Sequence, residues 1–129
     1  MINIQWDKKF ELGHEKIDFE HRIFLDLIRT ASHLGQDKQR ANRILNEIKK
    51  YAEFHFISEE NVMLDANYPD YTQHKAEHNQ LLAQLNDMIF QHHRSQIPTE
   101  ELVDFLFQWF ALHTTQVDSK LTLFIQDQS

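Results

Sequence analysis

The chain has 129 residues, no cysteine and a net charge of −7 at pH 7. This length suits one domain with its own core, and the lack of cysteine excludes disulfides, thiolate metal sites and cysteine nucleophiles. The negative charge, without a Lys/Arg cluster, disfavours binding to nucleic acid or to an anionic membrane surface.

The first 17 residues show no sustained period and are interpreted as an N-terminal arm that packs on the domain. The start has no apolar run of signal-peptide length and no segment approaches a membrane span, so a cytoplasmic location is the default expectation. Asp18 is expected to cap a first helix over residues 18–34, and Gly35 is expected to end it.

A second helix is predicted over residues 38–66 and a third over residues 70–93, where Asp70 and Gln73 resemble a capping box. Thr99 is expected to cap a fourth helix over residues 99–118, which a short C-terminal tail follows. Two glycines and two prolines leave little room for hairpin turns. We therefore predict one all-α domain over residues 1–129, an antiparallel up-down-up-down four-helix bundle.

Each predicted helix carries imidazole or carboxylate groups on its inward apolar stripe. The set comprises His21, His55, Glu59, His74, His78, His113 and Asp118. A single histidine on such a stripe is more often a hydrogen-bonded core residue than a metal ligand. Burial of the whole set without a counter-ion would threaten a fold whose total stability is about 5–15 kcal/mol. The cluster therefore predicts a metal site, and its imidazole and carboxylate ligands suit Fe or Mn, with Zn possible.

The spacing of these residues adds a structural hypothesis. His55 and Glu59, like His74 and His78, are four residues apart and share a helix face. His113 and Asp118 are five residues apart and would lie about 140° apart on an ideal helix. If both bind, the helix must unwind or carry a π-type bulge near Thr114.

The motifs H-F-x-x-E-E-x-x-M, Y-P and H-x-x-x-H, with D-x-x-H upstream and W-x-x-x-H-x-x-x-x-D downstream, resemble the hemerythrin family in its bacterial single-domain type. The resemblance covers essentially the whole chain and implies two Fe ions with a bridging oxo or hydroxo group. It implies that His74, His78 and His113 bind one iron, that His21 and His55 bind the other, and that Glu59 and Asp118 bridge them. O2 would bind at the iron that has two imidazoles.

By position, six further residues are expected to line the O2 pocket: Phe24, Leu25, Phe56, Trp109, Phe110 and Thr114. Thr114 stands where this family commonly has Ile, and its hydroxyl could admit water. His14, His33, His92 and His93 fall outside the stripes and are expected at the surface, as is Glu60.

The resemblance favours a reversible O2 carrier, store or deliverer. Two alternatives stay open. The first is an O2- or redox-sensing domain of a signalling protein, with a protein partner or output domain. The second is a di-iron oxidase or peroxidase, which ranks low because ferritin-like oxidases favour carboxylate-rich sites and this site is rich in imidazole.

Overall fold

The computed structural model describes residues 3–34 and 36–128. Five α-helices follow one another along the chain: α1 (Glu15–Ser32), α2 (Lys38–Asp65), α3 (Tyr71–His93), α4 (Thr99–His113) and α5 (Ser119–Asp127). A 3-10 turn (Lys8–Phe10) lies in the N-terminal arm, and a π-helical turn (Thr114–Asp118) joins α4 to α5.

The first four helices form the predicted bundle. Helix α1 packs on α2 and α4, and α3 packs on the same two helices, so each helix has two neighbours. The described residues contain helices and no strand, which confirms the all-α prediction. None of the helices in residues 3–34 and 36–128 is long and apolar enough to cross a membrane.

The apolar interior consists of two clusters of buried side chains. The larger cluster fills most of the bundle and includes Phe24, Ile28, Leu45, Ile48, Leu81, Leu85, Leu102, Leu106 and Phe110. The smaller cluster lies beyond the polar cluster along each helix and contains Ile17, Met63, Tyr68 and Leu121. The inward polar residues therefore lie on a level between two apolar layers.

The first helix begins three residues earlier than predicted. His14 is the N-cap, and its Nδ1 accepts a hydrogen bond from the Ile17 backbone N–H at 3.2 Å. Asp18 lies inside the helix, and its carboxylate accepts from the backbone N–H groups of Leu12 and Gly13 at 2.9 and 3.0 Å. The prediction that Asp18 caps the helix is wrong, since its side chain accepts hydrogen bonds from the backbone of the preceding arm instead.

Other helix ends differ less from the predicted ones. Asp70 occupies the N-cap position of α3 but forms no side-chain capping bond, and Thr99 is the first residue of α4 rather than its cap. Beyond Asp118 the predicted tail is the helix α5, which reaches Asp127. The prediction that Gly35 ends α1 lies outside the described residues.

The end of α2 explains how the chain turns toward α3. Asn67 has φ +55°, and the backbone N–H groups of Asn67 and Tyr68 bond to the carbonyls of Leu64 and Met63. This pattern is a Schellman motif, which ends a helix by satisfying its last carbonyls. The tight turn places the ligand-type residues at the end of α2 beside those at the start of α3.

Candidate metal centre

The structure brings all seven residues of the predicted polar cluster together. None of them is more than 5% exposed. Two groups of side chains have ligand atoms close enough to hold a metal ion: Glu59, His74, His78, His113 and Asp118 form one, and His21, His55 and Glu59 form the other. Glu59 belongs to both groups.

The π-type bulge that the spacing of His113 and Asp118 predicts near Thr114 is confirmed. Residues Thr114–Asp118 adopt π-helical geometry, which contains more residues per turn than an α-helix. The wider turn compensates for the five-residue spacing, so His113 and Asp118 face the same interior space. Their Nε2 and Oδ1 atoms lie 3.2 Å apart.

The two oxygens of Glu59 face different imidazoles. Oε1 lies 2.8 Å from His74 Nε2 and 3.1 Å from His78 Nε2. Oε2 lies 3.6 Å from His55 Nε2 and 3.9 Å from His21 Nε2. One carboxylate thus reaches toward both groups of imidazoles.

Asp118, in the π-helical turn, has the same arrangement. Its Oδ1 lies 3.0 Å from His74 Nε2 and 3.2 Å from His113 Nε2, whereas its Oδ2 lies 3.1 Å from His21 Nε2. Each carboxylate therefore has one oxygen beside the three-imidazole group and one beside the two-imidazole group. This is the arrangement expected of two bridging ligands.

The donor atoms fit a pair of transition-metal ions. Bonds of about 2.0–2.2 Å to a six-coordinate ion place neighbouring ligand atoms about 3 Å apart. Several inward atoms lie near this separation but have no hydrogen-bond partner among the described residues. These atoms are the two oxygens of Glu59, Asp118 Oδ1 and the Nε2 atoms of His74, His78 and His113. Buried polar atoms without partners are costly, so the cluster suits cations.

The electrostatics of the protein alone point the same way. Burial would raise the pKa of the Glu59 and Asp118 carboxyls, but the surrounding imidazoles lower both pKa values, Asp118 well below its usual range. Burial would lower the pKa of His74, but the two carboxylates raise it to about 10. The surroundings of the centre therefore favour the negative form of both carboxyls and a positive charge beside them.

The outward nitrogens of three imidazoles face carboxylates that the sequence prediction missed. His55 Nδ1 lies 2.6 Å from Glu20 Oε1, and His78 Nδ1 lies 3.0 Å from Glu60 Oε2. A third carboxylate, Glu77 Oε1, lies 3.8 Å from His113 Nδ1. Such partners fix the orientation of metal-binding imidazoles and raise their basicity.

A sequence signal for two of these residues existed. Glu20 lies three residues after the inward residue Ile17, and Glu60 lies four residues after Phe56, so both belong to the apolar stripes. Glu60 is 9% exposed, which corrects its prediction as a surface residue. Burial would raise the pKa of Glu20, but hydrogen bonds from His55 and Ser58 hold it below the usual value.

Aromatic rings from the predicted O2 pocket surround the imidazoles. Phe56 stacks on His78 with ring centroids 4.0 Å apart, and Trp109 stacks on His113 at 4.3 Å. Phe110 meets the His21 ring edge-on at 5.5 Å. These contacts exclude polar neighbours from much of the imidazole surface.

The other three predicted pocket residues, Phe24, Leu25 and Thr114, are buried. Phe24 reaches the site through Phe110, with ring centroids 5.9 Å apart. Leu25 and Thr114 are each 1% exposed. Tyr51, which the prediction omitted, lies parallel to the His55 ring at 6.5 Å.

One of the four histidines expected at the surface is buried. His92 is 3% exposed, and its Nδ1 and Nε2 lie 2.6 Å from Asn42 Oδ1 and 2.8 Å from Thr99 Oγ1. His14 is half-buried as the cap of α1, and His33 and His93 are exposed. His92 lies at the C-terminal end of α3, whereas the α3 residues of the cluster lie at its beginning.

Comparison with known families agrees with the family resemblance of the sequence motifs. The chain matches the family described as "Hemerythrin HHE cation binding domain" over residues 12–122, which is most of its length. The chain belongs to the hemerythrin family. All seven cluster residues lie within the matched range.

Individual relatives are similar over nearly their whole length. A bacteriohemerythrin from Clostridium acetobutylicum is 28% identical over 121 residues, which cover 88% of this chain and 94% of that protein. A myohemerythrin from Theromyzon tessulatum is 28% identical over 116 residues, which cover 90% of this chain and 88% of that protein.

The fold is also similar to solved hemerythrin structures. A wild-type hemerythrin matches with a TM-score of 0.83 and 24% identity over 89% of this chain and 92% of that chain. A single-substitution variant of hemerythrin matches with a TM-score of 0.88 and 23% identity over 96% and 98%. At this identity the likeness supports the four-helix fold alone.

Proposed function

We propose that the chain binds O2 reversibly at a non-haem di-iron centre and serves as an O2 carrier, store or deliverer. The observation that carries the proposal is the division of the two carboxylates between the imidazole groups. Each of Glu59 and Asp118 has one oxygen toward the group that contains His21 and the other oxygen toward the three-imidazole group. Family membership supports iron as the metal.

The ligand assignment follows from this division. His74, His78 and His113 would hold one iron, and His21 and His55 would hold the other, with both carboxylates and an oxo or hydroxo group between the ions. The ion with two imidazoles then has one protein ligand fewer, which leaves a position for O2. Bound iron would supply the electrons that O2 takes up on binding.

The chain's own contribution is to orient the ligands and to keep water away. The rings of Phe56, Trp109 and Phe110 cover the imidazoles, and the apolar layers on both sides reduce solvent access. A dry pocket of this kind favours the release of O2 over irreversible oxidation. We therefore place Phe24, Leu25, Phe56, Trp109, Phe110 and Thr114 in the wall of the O2 pocket.

The balance of ligands favours binding over catalysis. Five imidazoles and two carboxylates form the cluster, whereas the ferritin-like di-iron sites use mainly carboxylates with Glu-x-x-His pairs. This composition supports a carrier rather than an oxidase.

The test is metal analysis followed by anaerobic reduction and re-exposure to O2. We expect two irons per chain and a visible absorption band that appears with O2 and disappears when O2 is removed. The matched control is Glu59→Gln, which keeps the size of the bridging side chain but loses its charge and should lose iron. Sustained O2 consumption with a reductant would contradict the carrier proposal in favour of an oxidase. Bleaching without a reversible band would contradict it in favour of redox sensing.

A further inference from the structure

Glu20 is a buried carboxylate between α1 and α2 that does not face the interior of the metal centre. Its Oε1 lies 2.6 Å from His55 Nδ1, and its Oε2 accepts a hydrogen bond from Ser58 Oγ at 2.8 Å. The Tyr51 hydroxyl donates to the Glu20 backbone carbonyl at 2.7 Å. Both carboxylate oxygens and the backbone of Glu20 are therefore held in place.

This contact determines which nitrogen of His55 carries the proton. An ionised carboxylate only accepts hydrogen bonds, so His55 must donate from Nδ1. Its Nε2 then carries the lone pair and points inward, where it lies 3.6 Å from Glu59 Oε2. Glu20 thus holds the imidazole in the tautomer and orientation that a metal ion at Nε2 requires.

The corresponding carboxylates on the other imidazoles are weaker partners. Glu60 lies 3.0 Å from His78 Nδ1, but Lys75 Nζ lies 3.5 Å from its other oxygen and offsets its charge. Glu77 is 3.8 Å from His113 Nδ1, and its side chain is 40% exposed, so water screens it.

The remaining two imidazoles lack this kind of partner. The Nδ1 atoms of His21 and His74 are buried without a hydrogen-bond partner among the described residues. The carboxylate contacts outside the ligand set are therefore unequal: the contact to His55 is the shortest and its carboxylate is the most deeply buried, although Lys16 also acts on Glu20. This imidazole belongs to the group that has only two histidines.

We propose that Glu20 is a positioning residue that fixes the His55 imidazole and favours the ferric state of the iron bound by His21 and His55. The inference rests on the proposed di-iron function. A carboxylate on the outer nitrogen makes an imidazole a stronger donor, and a stronger donor stabilises the more positive oxidation state. The iron at the open position would thereby give electrons to O2 more readily than it would with an unpartnered histidine.

The test compares Glu20→Gln with two matched variants. Gln keeps the size and one acceptor but removes the charge. Glu60→Gln removes the carboxylate that Lys75 already offsets, and Glu53→Gln removes a half-buried carboxylate that pairs with Lys50 at 3.8 Å. All three lose one negative charge, so overall charge is matched.

Two quantities are measured on the purified protein. The first is the reduction potential of the iron centre, which we expect to rise in Glu20→Gln, to rise less in Glu60→Gln and to stay unchanged in Glu53→Gln. The second is the hydrogen exchange of the His55 Nδ1–H, followed by NMR, which should become faster in Glu20→Gln. Iron affinity should fall about tenfold in Glu20→Gln.

The outcomes separate this inference from the proposed function. If the wild-type protein binds no iron, the proposed function fails, while the exchange measurement still tests the hydrogen bond from His55. If the wild type binds two irons but Glu20→Gln has the potential of Glu53→Gln, the redox role of Glu20 is refuted. A loss of thermal stability without a change in potential would likewise refute it, because that pattern reflects only the packing of α1 on α2.

Discussion

At the scale of single residues, the two carboxylates account for most of the chemistry of the centre. An unpaired buried carboxylate costs several kcal/mol, and Glu59 and Asp118 are each 1% exposed. Their oxygens lie about as far from the imidazole nitrogens as two ligands of one ion lie from each other. A pair of cations would satisfy the same atoms that are unpartnered in the protein alone.

Thr114 is the residue of the proposed O2 pocket whose side chain is polar rather than apolar. It is 1% exposed and follows His113 directly. Replacement by Val keeps the shape and removes the hydroxyl, which should deprive water of a hydrogen-bonding site. We expect Thr114→Val to slow autoxidation of the O2-bound protein about fivefold, as one hydrogen bond of ~1 kcal/mol implies.

The control for this prediction is Thr115→Val. The Thr115 hydroxyl bonds to the Ala111 carbonyl at 2.7 Å and is engaged within the helix. Autoxidation is followed as the decay of the O2-dependent absorption band. Equal decay rates in Thr114→Val and the wild type would mean that the hydroxyl does not admit water.

The ligand-type residues could be read from the sequence, but their supporting residues could not. Histidine is rare on apolar stripes, so several such residues in phase are a strong signal. The predicted apolar stripe of the second helix leaves Glu60 largely on the other side, so the sequence predicts it at the surface. Its burial depends on pairing with an imidazole from another helix, and such a pairing becomes visible only when α2 and α3 are placed together.

At the scale of helices, the π-helical turn is the element that completes the centre. Asp118 could not face the site from a regular helix, and the spacing alone was enough to predict the irregularity. The helix ends were predicted less well. Asp18 and Asp70 are both common capping residues, but tertiary contacts and turn geometry decide whether such a side chain caps.

Exchanging two neighbouring residues tests the need for the π-helical turn. The double variant Val117→Asp/Asp118→Val places the carboxylate four residues after His113, where a regular α-helix would accept it. We expect fewer than two irons per chain, because in the present geometry position 118 of the π-helical turn lies beside His113 Nε2, at 3.2 Å, whereas Val117 is only half-buried. Iron analysis measures the result, and full loading would mean that the helix readily changes register.

His92 connects three helices at the other end of the bundle. Asn42 Oδ1 can only accept, so His92 donates from Nδ1 and its Nε2 accepts from the Thr99 hydroxyl. Burial, with the positive charges of Lys38 and His93, holds the pKa of His92 below its usual value. The neutral ring therefore fastens α3 to α2 and α4.

This arrangement makes stability depend on pH in a defined direction. Because the folded state binds the His92 proton less well than the unfolded state, stability is lost as pH falls from about 6.5 through the lowered folded pKa. His92→Gln should cost about 1–3 kcal/mol at neutral pH through lost hydrogen bonds, and should lose less further stability on acidification than the wild type. Denaturant unfolding at several pH values measures both effects.

Exposed His33, which does not contribute to the lowered pKa of His92, provides the control for that series. His33→Gln should leave the pH dependence close to that of the wild type. An equal loss of stability on acidification in His92→Gln and the wild type would show that His92 contributes no pH dependence.

At the scale of the whole molecule, the bundle places its polar cluster between two apolar layers. Ile17, Met63, Tyr68 and Leu121 form the smaller layer, and the main core forms the larger one. The four-helix architecture followed from composition and periodicity, and the structure confirms it. The helix α5 was missed because the end of the chain is mostly polar and its apolar face is short.

Metal removal should therefore destabilise the entire domain. Binding to the folded state alone stabilises a protein by about 4 kcal/mol when the free ligand is 1,000 times its Kd. We expect a chelator to lower the unfolding free energy of the iron-loaded protein by several kcal/mol. A double variant, Glu59→Gln/Asp118→Asn, should show no chelator effect, whereas a wild type that loses its iron without losing stability would contradict the expectation.

The central claim is that one cage holds two ions with Glu59 and Asp118 between them. X-ray diffraction from crystals of the iron-loaded protein, measured at the iron absorption edge, tests this claim most directly. We predict two anomalous peaks, one beside His21 and His55 and the other beside His74, His78 and His113. A single peak, or two peaks that do not share the carboxylates, would contradict the account.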